Sequence, residues 1–110
     1  VSPLAALAAG TLVNPNATVN ALATIGRGCI LNTGCIVEHE CQMGSFSHLG
    51  PGATLLGNVS VGNGVLIGAN AVVLPGLSIG DHAVIGAGSV VLRDVPAQGR
   101  VAGNPARTLY

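Results

Sequence analysis

Aliphatic side chains recur at every sixth position along the chain. A second column of small or apolar residues follows four positions after each of them and includes Cys29, Cys35 and Cys41. A period of six fits neither an α-helix, with about 3.6 residues per turn, nor a free strand, with a period of about 2. A short strand followed by a tight corner has this period, so the pattern predicts a parallel β-helix. The sixteen members of the first column are all apolar: Val1, Leu7, Val13, Val19, Ile25, Leu31, Val37, Met43, Leu49, Leu55, Val61, Ile67, Val73, Ile79, Ile85 and Val91.

The corners have their own signal, three residues after each aliphatic position. Gly, Asn, Asp or His stands there in twelve of sixteen repeats, and these types tolerate the positive φ that a tight bend requires. The exceptions are Leu4, Leu22, Glu40 and Phe46. Three hexads should make one triangular coil, so residues 18 apart should stack at the strand spacing of about 4.8 Å. Sixteen hexads then give an all-β fold of about five coils.

The repeat sets the expected domain organisation. It extends through residues 1–96 and fails after Val95, at the run PAQGR. Residues 97–110 are therefore expected to leave the helix as a capping tail, because the ends of a solenoid need covering. Val1 already stands in register, so the sequence is interpreted as a possible fragment of a longer chain.

The last position of each hexad is predicted to point outward, and its character differs among the three faces. One face carries Leu12, Ile30, His48, Leu66 and Val84; the next carries Thr18, Ile36, Thr54, Val72 and Val90; the third carries Ala6, Thr24, Gln42, Ser60, Ser78 and Pro96. The first two faces are the more apolar, which predicts a homotrimer, because a contact between different faces can close as a ring of three. The alternative is that β-branched residues are present only for their strand propensity.

Composition narrows the partners. Four basic and four acidic residues give a formal net charge of zero, which argues against nucleic acid or a membrane surface as a partner. No apolar run approaches the roughly 18 residues that span a bilayer, and the amino terminus lacks a basic segment, so we expect a cytoplasmic protein. Three cysteines at six-residue spacing fit neither a disulfide framework nor the close pairs of a zinc site, and we expect plain core thiols.

The titratable residues concentrate in the run EHECQMGSFSH, residues 38–48. His39 lies between Glu38 and Glu40, and a carboxylate bonded to one ring nitrogen would make the other a general base. Gly57 follows one coil later in the same corner column, where its N–H could face an oxyanion. His48 is half a coil from His39, so the two would meet only between chains of a trimer.

Each histidine also has a structural interpretation. His39 could be a solvated corner residue, and His48 could be an interface residue without a ligand. His82 stands in an ordinary corner position and is interpreted as an exposed turn residue. The neighbouring corner column holds small residues that would leave a groove along the prism axis: Pro51, Ala69 and Ala87.

The motifs NTG, VEHEC, FSH, PGA and GNV, in this order between residues 32 and 59, resemble a known family. The chain is similar throughout to the acetyltransferase domain of the sialic acid O-acetyltransferases and bacillosamine-pathway amino-sugar N-acetyltransferases. The resemblance implies a left-handed β-helix, a trimer and acetyl-CoA as cosubstrate, with no metal. Members usually carry an amino-terminal domain that binds the nucleotide-sugar, and none precedes Val1 in this sequence.

The resemblance also implies roles for six residues. His39 would be the catalytic base and Glu40 the carboxylate that increases its basicity. His48 would contact acetyl-CoA, the Gly57 N–H would meet the thioester oxygen, and main-chain groups of Ala69 and Ala87 would meet the pantetheine arm.

These observations together predict a trimeric, acetyl-CoA-dependent acetyltransferase acting on an amino or hydroxyl group of a sugar, with sites between subunits. The alternative is a non-catalytic trimeric scaffold or assembly module built on the same repeat. A zinc enzyme on this fold would need three histidine ligands, and His82 lies nearly two coils from His48, which is too far for shared ligation.

Overall fold

Each hexad forms one strand of two residues in the computed structural model of the chain, which describes residues 1–109. The first fifteen strands are β1 Ala6–Leu7, β2 Leu12–Val13, β3 Thr18–Val19, β4 Thr24–Ile25, β5 Ile30–Leu31, β6 Ile36–Val37, β7 Gln42–Met43, β8 His48–Leu49, β9 Thr54–Leu55, β10 Ser60–Val61, β11 Leu66–Ile67, β12 Val72–Val73, β13 Ser78–Ile79, β14 Val84–Ile85 and β15 Val90–Val91. Two longer strands follow, β16 Arg100–Gly103 and β17 Ala106–Thr108.

The strands stack into three parallel sheets, one on each face of a prism. Sheet A contains β1, β4, β7, β10 and β13; sheet B contains β2, β5, β8, β11, β14, β16 and β17; sheet C contains β3, β6, β9, β12 and β15. Partners differ by 18 residues, as in the pairs Ile30 with His48 and Ile36 with Thr54. The predicted coil of three hexads is therefore confirmed, and the described chain forms an elongated prism measuring 37 × 21 × 21 Å.

The core is a stack of the inward column. Leu31, Leu49 and Leu55 are fully buried, and burying a side chain of this size stabilises the fold by about 1.5–3 kcal/mol. The second column fills the corners of the same interior, where Cys29, Cys35 and Cys41 are free thiols with no solvent exposure. The expectation of core thiols is confirmed.

The corners adopt the predicted conformation. Positive φ occurs at all fourteen positions from residue 10 to residue 88 in steps of six. Leu22, Glu40 and Phe46 are among them, with φ near 60°, although their side chains do not favour this region. Asp94 was expected to form a corner but does not, because the chain departs from the repeat there; the next positive φ belongs to Gln98.

The carboxyl end adds one more strand to sheet B before it folds back. β16 pairs in parallel with β14, but Val84 lies opposite Arg100, a register of 16 instead of 18 residues. β17 then pairs antiparallel with β16. The predicted tail thus contributes β16 to the helix, and its last residue, Tyr110, lies outside the described residues. Within residues 1–109 no helix is long and apolar enough to cross a membrane.

Candidate active site

His39 and Glu40 form the corner between β6 of sheet C and β7 of sheet A. Glu40 takes the positive φ of 62°, which turns its carboxylate back toward the preceding residue. Oε1 of Glu40 lies 3.4 Å from Nδ1 of His39, and both side chains are more than half exposed. The predicted pairing with Glu40 is present at the long end of the hydrogen-bond range. It leaves Nε2 as the ring nitrogen available to a substrate.

Gly57 lies directly beneath this imidazole, one coil later. A Cβ built on residue 57 would stand 2.7 Å from Nε2 and 2.8 Å from Cε1 of His39. The two corners are joined by the Asn58 N–H, which donates to the His39 carbonyl at 3.0 Å. Gly57 has no positive φ, so the turn does not require glycine there. The missing side chain instead makes room for the His39 ring.

The amide of Gly57 donates to no acceptor among residues 1–109. The same holds for Ala69 and Ala87, which begin successive corners between sheets B and C. At other corners a side chain takes this hydrogen bond: Asn63 Oδ1 accepts from the Ser45 N–H, and Asp81 Oδ1 accepts from the Asn63 N–H, each at 2.8 Å. The amides of Gly57, Ala69 and Ala87 are therefore available to a ligand.

His48 points outward from β8 in the middle of sheet B and is partly buried. Sheet B is the face of the prism opposite the corner that carries His39. Within one chain the structure therefore keeps the two histidines apart, as the hexad register predicts. His82 is exposed at its corner with φ 59°, which agrees with a turn residue.

The two glutamates beside His39 behave differently. Glu38 Oε2 accepts a hydrogen bond from Asn20 Nδ2 at 2.9 Å, and its carboxylate has no contact with His39 in the described chain. The expectation that both carboxylates serve the imidazole is corrected, because Glu38 points along sheet C toward the preceding coil. Only Glu40 pairs with the ring.

The cysteines near this corner are unsuited to nucleophilic chemistry. Burial raises the pKa of the Cys35 thiol from 9.0 to about 11. Burial is also the main cause that raises the pKa of Cys41. A thiol is a weak nucleophile while protonated, so the described chain offers His39 rather than a cysteine for catalysis. No cluster of three or more His, Cys, Asp or Glu residues in the described range could hold a metal ion.

The family model for the bacterial transferase hexapeptide, a unit of six repeats, matches residues 58–93. The chain carries the hexapeptide repeat of bacterial transferases. No curated protein sequence matches the chain, but solved structures do.

Three of these structures are sugar or acetyl transferases of the hexapeptide-repeat type. One is the perosamine N-acetyltransferase of Caulobacter crescentus in complex with CoA and GDP-perosamine, with 36% identity over 100% of this chain and 56% of that one, and a TM-score of 0.87. The acetyltransferase domain of PglB from Neisseria gonorrhoeae, in complex with acetyl coenzyme A, has 34% identity over 97% of this chain and 55% of that one, at a TM-score of 0.75. A galactoside acetyltransferase in complex with coenzyme A has 27% identity over 96% of this chain and 64% of that one, at 0.90.

The resemblance to hexapeptide-repeat sugar acetyltransferases is thereby confirmed. The chain spans a little over half the length of the first two of these relatives. The relatives are left-handed β-helices, and a superposition preserves hand. The hexapeptide coil of this chain is therefore left-handed, as the resemblance implied, although general crossover rules favour the right hand.

Asn32 is a site residue that the hexapeptide pattern did not single out. Its Nδ2 lies 3.3 Å from His48 Nε2, and its Oδ1 accepts from Asn14 Nδ2 at 3.1 Å and from the Thr33 N–H at 2.7 Å. These bonds fix the amide of Asn32 against the imidazole of His48. The signal was present in the sequence as two asparagines 18 residues apart, which stack on successive coils.

Proposed function

We propose that this chain transfers an acetyl group from acetyl-CoA to an amino or hydroxyl group of a sugar, without a covalent enzyme intermediate. The observation that carries the proposal is the contact between His39 and Gly57, which places a ring nitrogen beside a free amide donor. Direct transfer needs these two groups side by side, one for the attacking acceptor and one for the thioester oxygen. The bound coenzyme A of the structural relatives supports the cosubstrate.

The reaction follows from this arrangement. Nε2 of His39 takes a proton from the acceptor as its nitrogen or oxygen attacks the thioester carbon. The carbonyl oxygen becomes an oxyanion, which the Gly57 N–H stabilises by a hydrogen bond. Collapse of the tetrahedral intermediate breaks the carbon–sulfur bond and releases coenzyme A, and the imidazolium returns its proton to the leaving thiolate.

Glu40 supports this base through Nδ1. A carboxylate 3.4 Å away favours the tautomer that keeps the proton on Nδ1 and leaves the lone pair on Nε2. Because both side chains are largely exposed, water weakens this pairing. We expect Glu40 to contribute less than His39 to the rate.

The remaining site residues lie on the other side of the prism and support a site shared between subunits. His48 would contact acetyl-CoA from sheet B, while the amides of Ala69 and Ala87 would bind the pantetheine arm along the next corner. A homotrimer that sets sheet B of one chain against the His39 corner of another brings these groups together. Leu12 and Leu66, 58% and 50% exposed on sheet B, supply apolar surface for this contact. We place the protein in the cytoplasm, where free thiols such as its three cysteines stay reduced.

Replacement of His39 by Ala should lower kcat with acetyl-CoA and an amino-sugar acceptor by about 10²–10⁴-fold, the usual contribution of a general base. Thermal unfolding should be unchanged, because the side chain is exposed. His82→Asn is the matched control, since His82 is also an exposed corner histidine and Asn tolerates its φ of 59°. Full activity of His39→Ala would disprove the assignment of the base.

The alternative of a non-catalytic trimeric scaffold makes a different prediction. A ligand that binds only the native state stabilises it by about 2.7 kcal/mol at a hundred times its Kd. Coenzyme A should therefore raise the unfolding temperature if the chain is an acetyltransferase. The absence of any shift at millimolar coenzyme A would favour the scaffold.

A further inference from the structure

Leu22 occupies a corner that its side chain does not favour. Its φ is 64°, in the left-handed region where branched apolar residues are rare. The equivalent positions of the other coils are mostly Gly or Asn, as at Asn16 and Asn58. The Leu22 side chain is nevertheless 59% exposed, so burial in the chain compensates for little of the strain. Strained residues of this kind concentrate at functional sites.

The position of Leu22 relates it to the proposed base. The Glu40 N–H donates to the Ala21 carbonyl at 3.1 Å, and the Leu22 N–H donates to the Leu4 carbonyl at 3.2 Å. The corner of Leu22 therefore stacks directly on the corner of Glu40, at the strand spacing of about 4.8 Å. Leu4 continues the same column and is 66% exposed. The two leucines form an apolar ridge that ends at the His39–Glu40 corner.

The two sides of the His39 corner are chemically different. Toward the carboxyl end lies Gly57, whose amide faces the acyl oxygen in the proposed reaction. Toward the amino end lie Ala21, which is small and half-buried, and the leucine ridge. Because the thioester occupies the Gly57 side, the acceptor must approach from the other side, where an apolar surface awaits it.

Resting on the proposed function, we infer that Leu22 determines acceptor specificity by packing against an apolar edge of the sugar. A methyl or methylene group in place of a hydroxyl on that edge fits this surface, since a hydroxyl there would lose water without gaining a hydrogen bond. The acceptor class is therefore a deoxy sugar rather than a fully hydroxylated one. Phe46, the other strained apolar corner side chain, differs because its ring lies over Gly28 and 5.9 Å from the Arg27 guanidinium.

The test uses pairs of nucleotide-linked amino sugars that differ only in carrying a methyl or a hydroxymethyl group on the ring. Acetyl-CoA is the donor, and thiol release is measured. The unchanged protein should prefer the methyl sugar by about tenfold in kcat/KM, the scale of one group in an apolar site. Leu22→Asn keeps the corner conformation and should remove the preference by slowing the methyl sugar. Leu22→Met keeps an apolar side chain and should retain it.

The ratio between the two sugars separates this inference from the function on which it rests. An unchanged ratio in Leu22→Asn, or an equal loss with both sugars, would overturn the role of Leu22 while leaving the acetyltransferase intact. A changed KM for acetyl-CoA in Leu22→Asn would also contradict it, because the ridge lies away from Gly57. No turnover by the unchanged protein with any pair would overturn both proposals.

Discussion

At the scale of single residues, the direction in which His39 leans distinguishes it from other corner side chains. Phe46, Asn70 and His82 each lie over a glycine of the preceding coil, whereas His39 lies over Gly57 of the following coil. The imidazole consequently faces an amide with no acceptor in the described chain. The hexad pattern gives both kinds of corner the same sequence, so this difference depends on side-chain packing.

We expect Gly57→Ala to impair catalysis without unfolding the chain. Its backbone conformation suits alanine, but the new methyl group would stand 2.7 Å from His39 Nε2, so the ring must move. A displaced base should lower kcat by about 10²-fold, as small misplacements of catalytic groups do. Kinetics of Gly57→Ala, His39→Ala and the double variant provide the measurement. If the two losses simply multiply in the double variant, Gly57 does not act through His39.

At the scale of elements, the hexad is a strand too short to be stable alone. Each strand has two residues and pairs only with the coils above and below. Isolated pairs of strands are at best marginally stable, so the inward residue of each strand must supply the stability. Leu49 is fully buried in β8, immediately behind the outward His48. The inward column therefore supports the proposed site as well as the fold.

Leu49→Ala should destabilise the chain by about 2–5 kcal/mol, the range for large-to-small changes in a core. The expected cause is the cavity left in the middle of the prism, where neighbouring coils cannot collapse. Urea unfolding gives the measurement. Leu109→Ala is the control, because that leucine is 59% exposed and its loss should have almost no effect. Equal stability of the two variants would show that the interior is not tightly packed.

At the scale of the whole molecule, the prism separates the two halves of the proposed site. His39 stands on the corner between sheets C and A, and His48 stands on sheet B at the opposite side of a body 21 Å across. No rotation of side chains can join them within one chain. A shared site between subunits is the arrangement that uses both.

Mixing two inactive variants tests this arrangement. His39→Ala and His48→Ala each lack one half of every site, so each should be inactive alone. If chains redistribute randomly in a trimer, about one quarter of the interfaces receive both intact histidines. Unfolding and refolding an equal mixture should therefore recover about one quarter of the original activity. Zero recovery, with trimers present by light scattering, would place both histidines in one subunit's site or remove His48 from catalysis.

The sequence predicted the fold closely because a β-helix is nearly one-dimensional. Each coil contacts only its neighbours, so a period of six and a spacing of 18 define the three sheets and their register. The prediction was wrong at Asp94, where the repeat still matched but the corner did not form. The return of the chain as β16, two residues out of register, also escaped the pattern, because the sequence there no longer repeats.

The sequence by itself determined the coil, the inward cysteines, the corners through residue 88 and the placement of His39 and His48 on different sides of the prism. Periodic burial decides all of these, and periodicity is visible in the sequence. Only the tertiary structure decided that Glu40, not Glu38, reaches the imidazole, that Asn32 approaches His48, and that the His39 ring lies on Gly57. These contacts depend on side-chain directions between coils, which the hexad pattern does not encode. The run EHECQMGSFSH is thus divided by the fold into two separate surfaces.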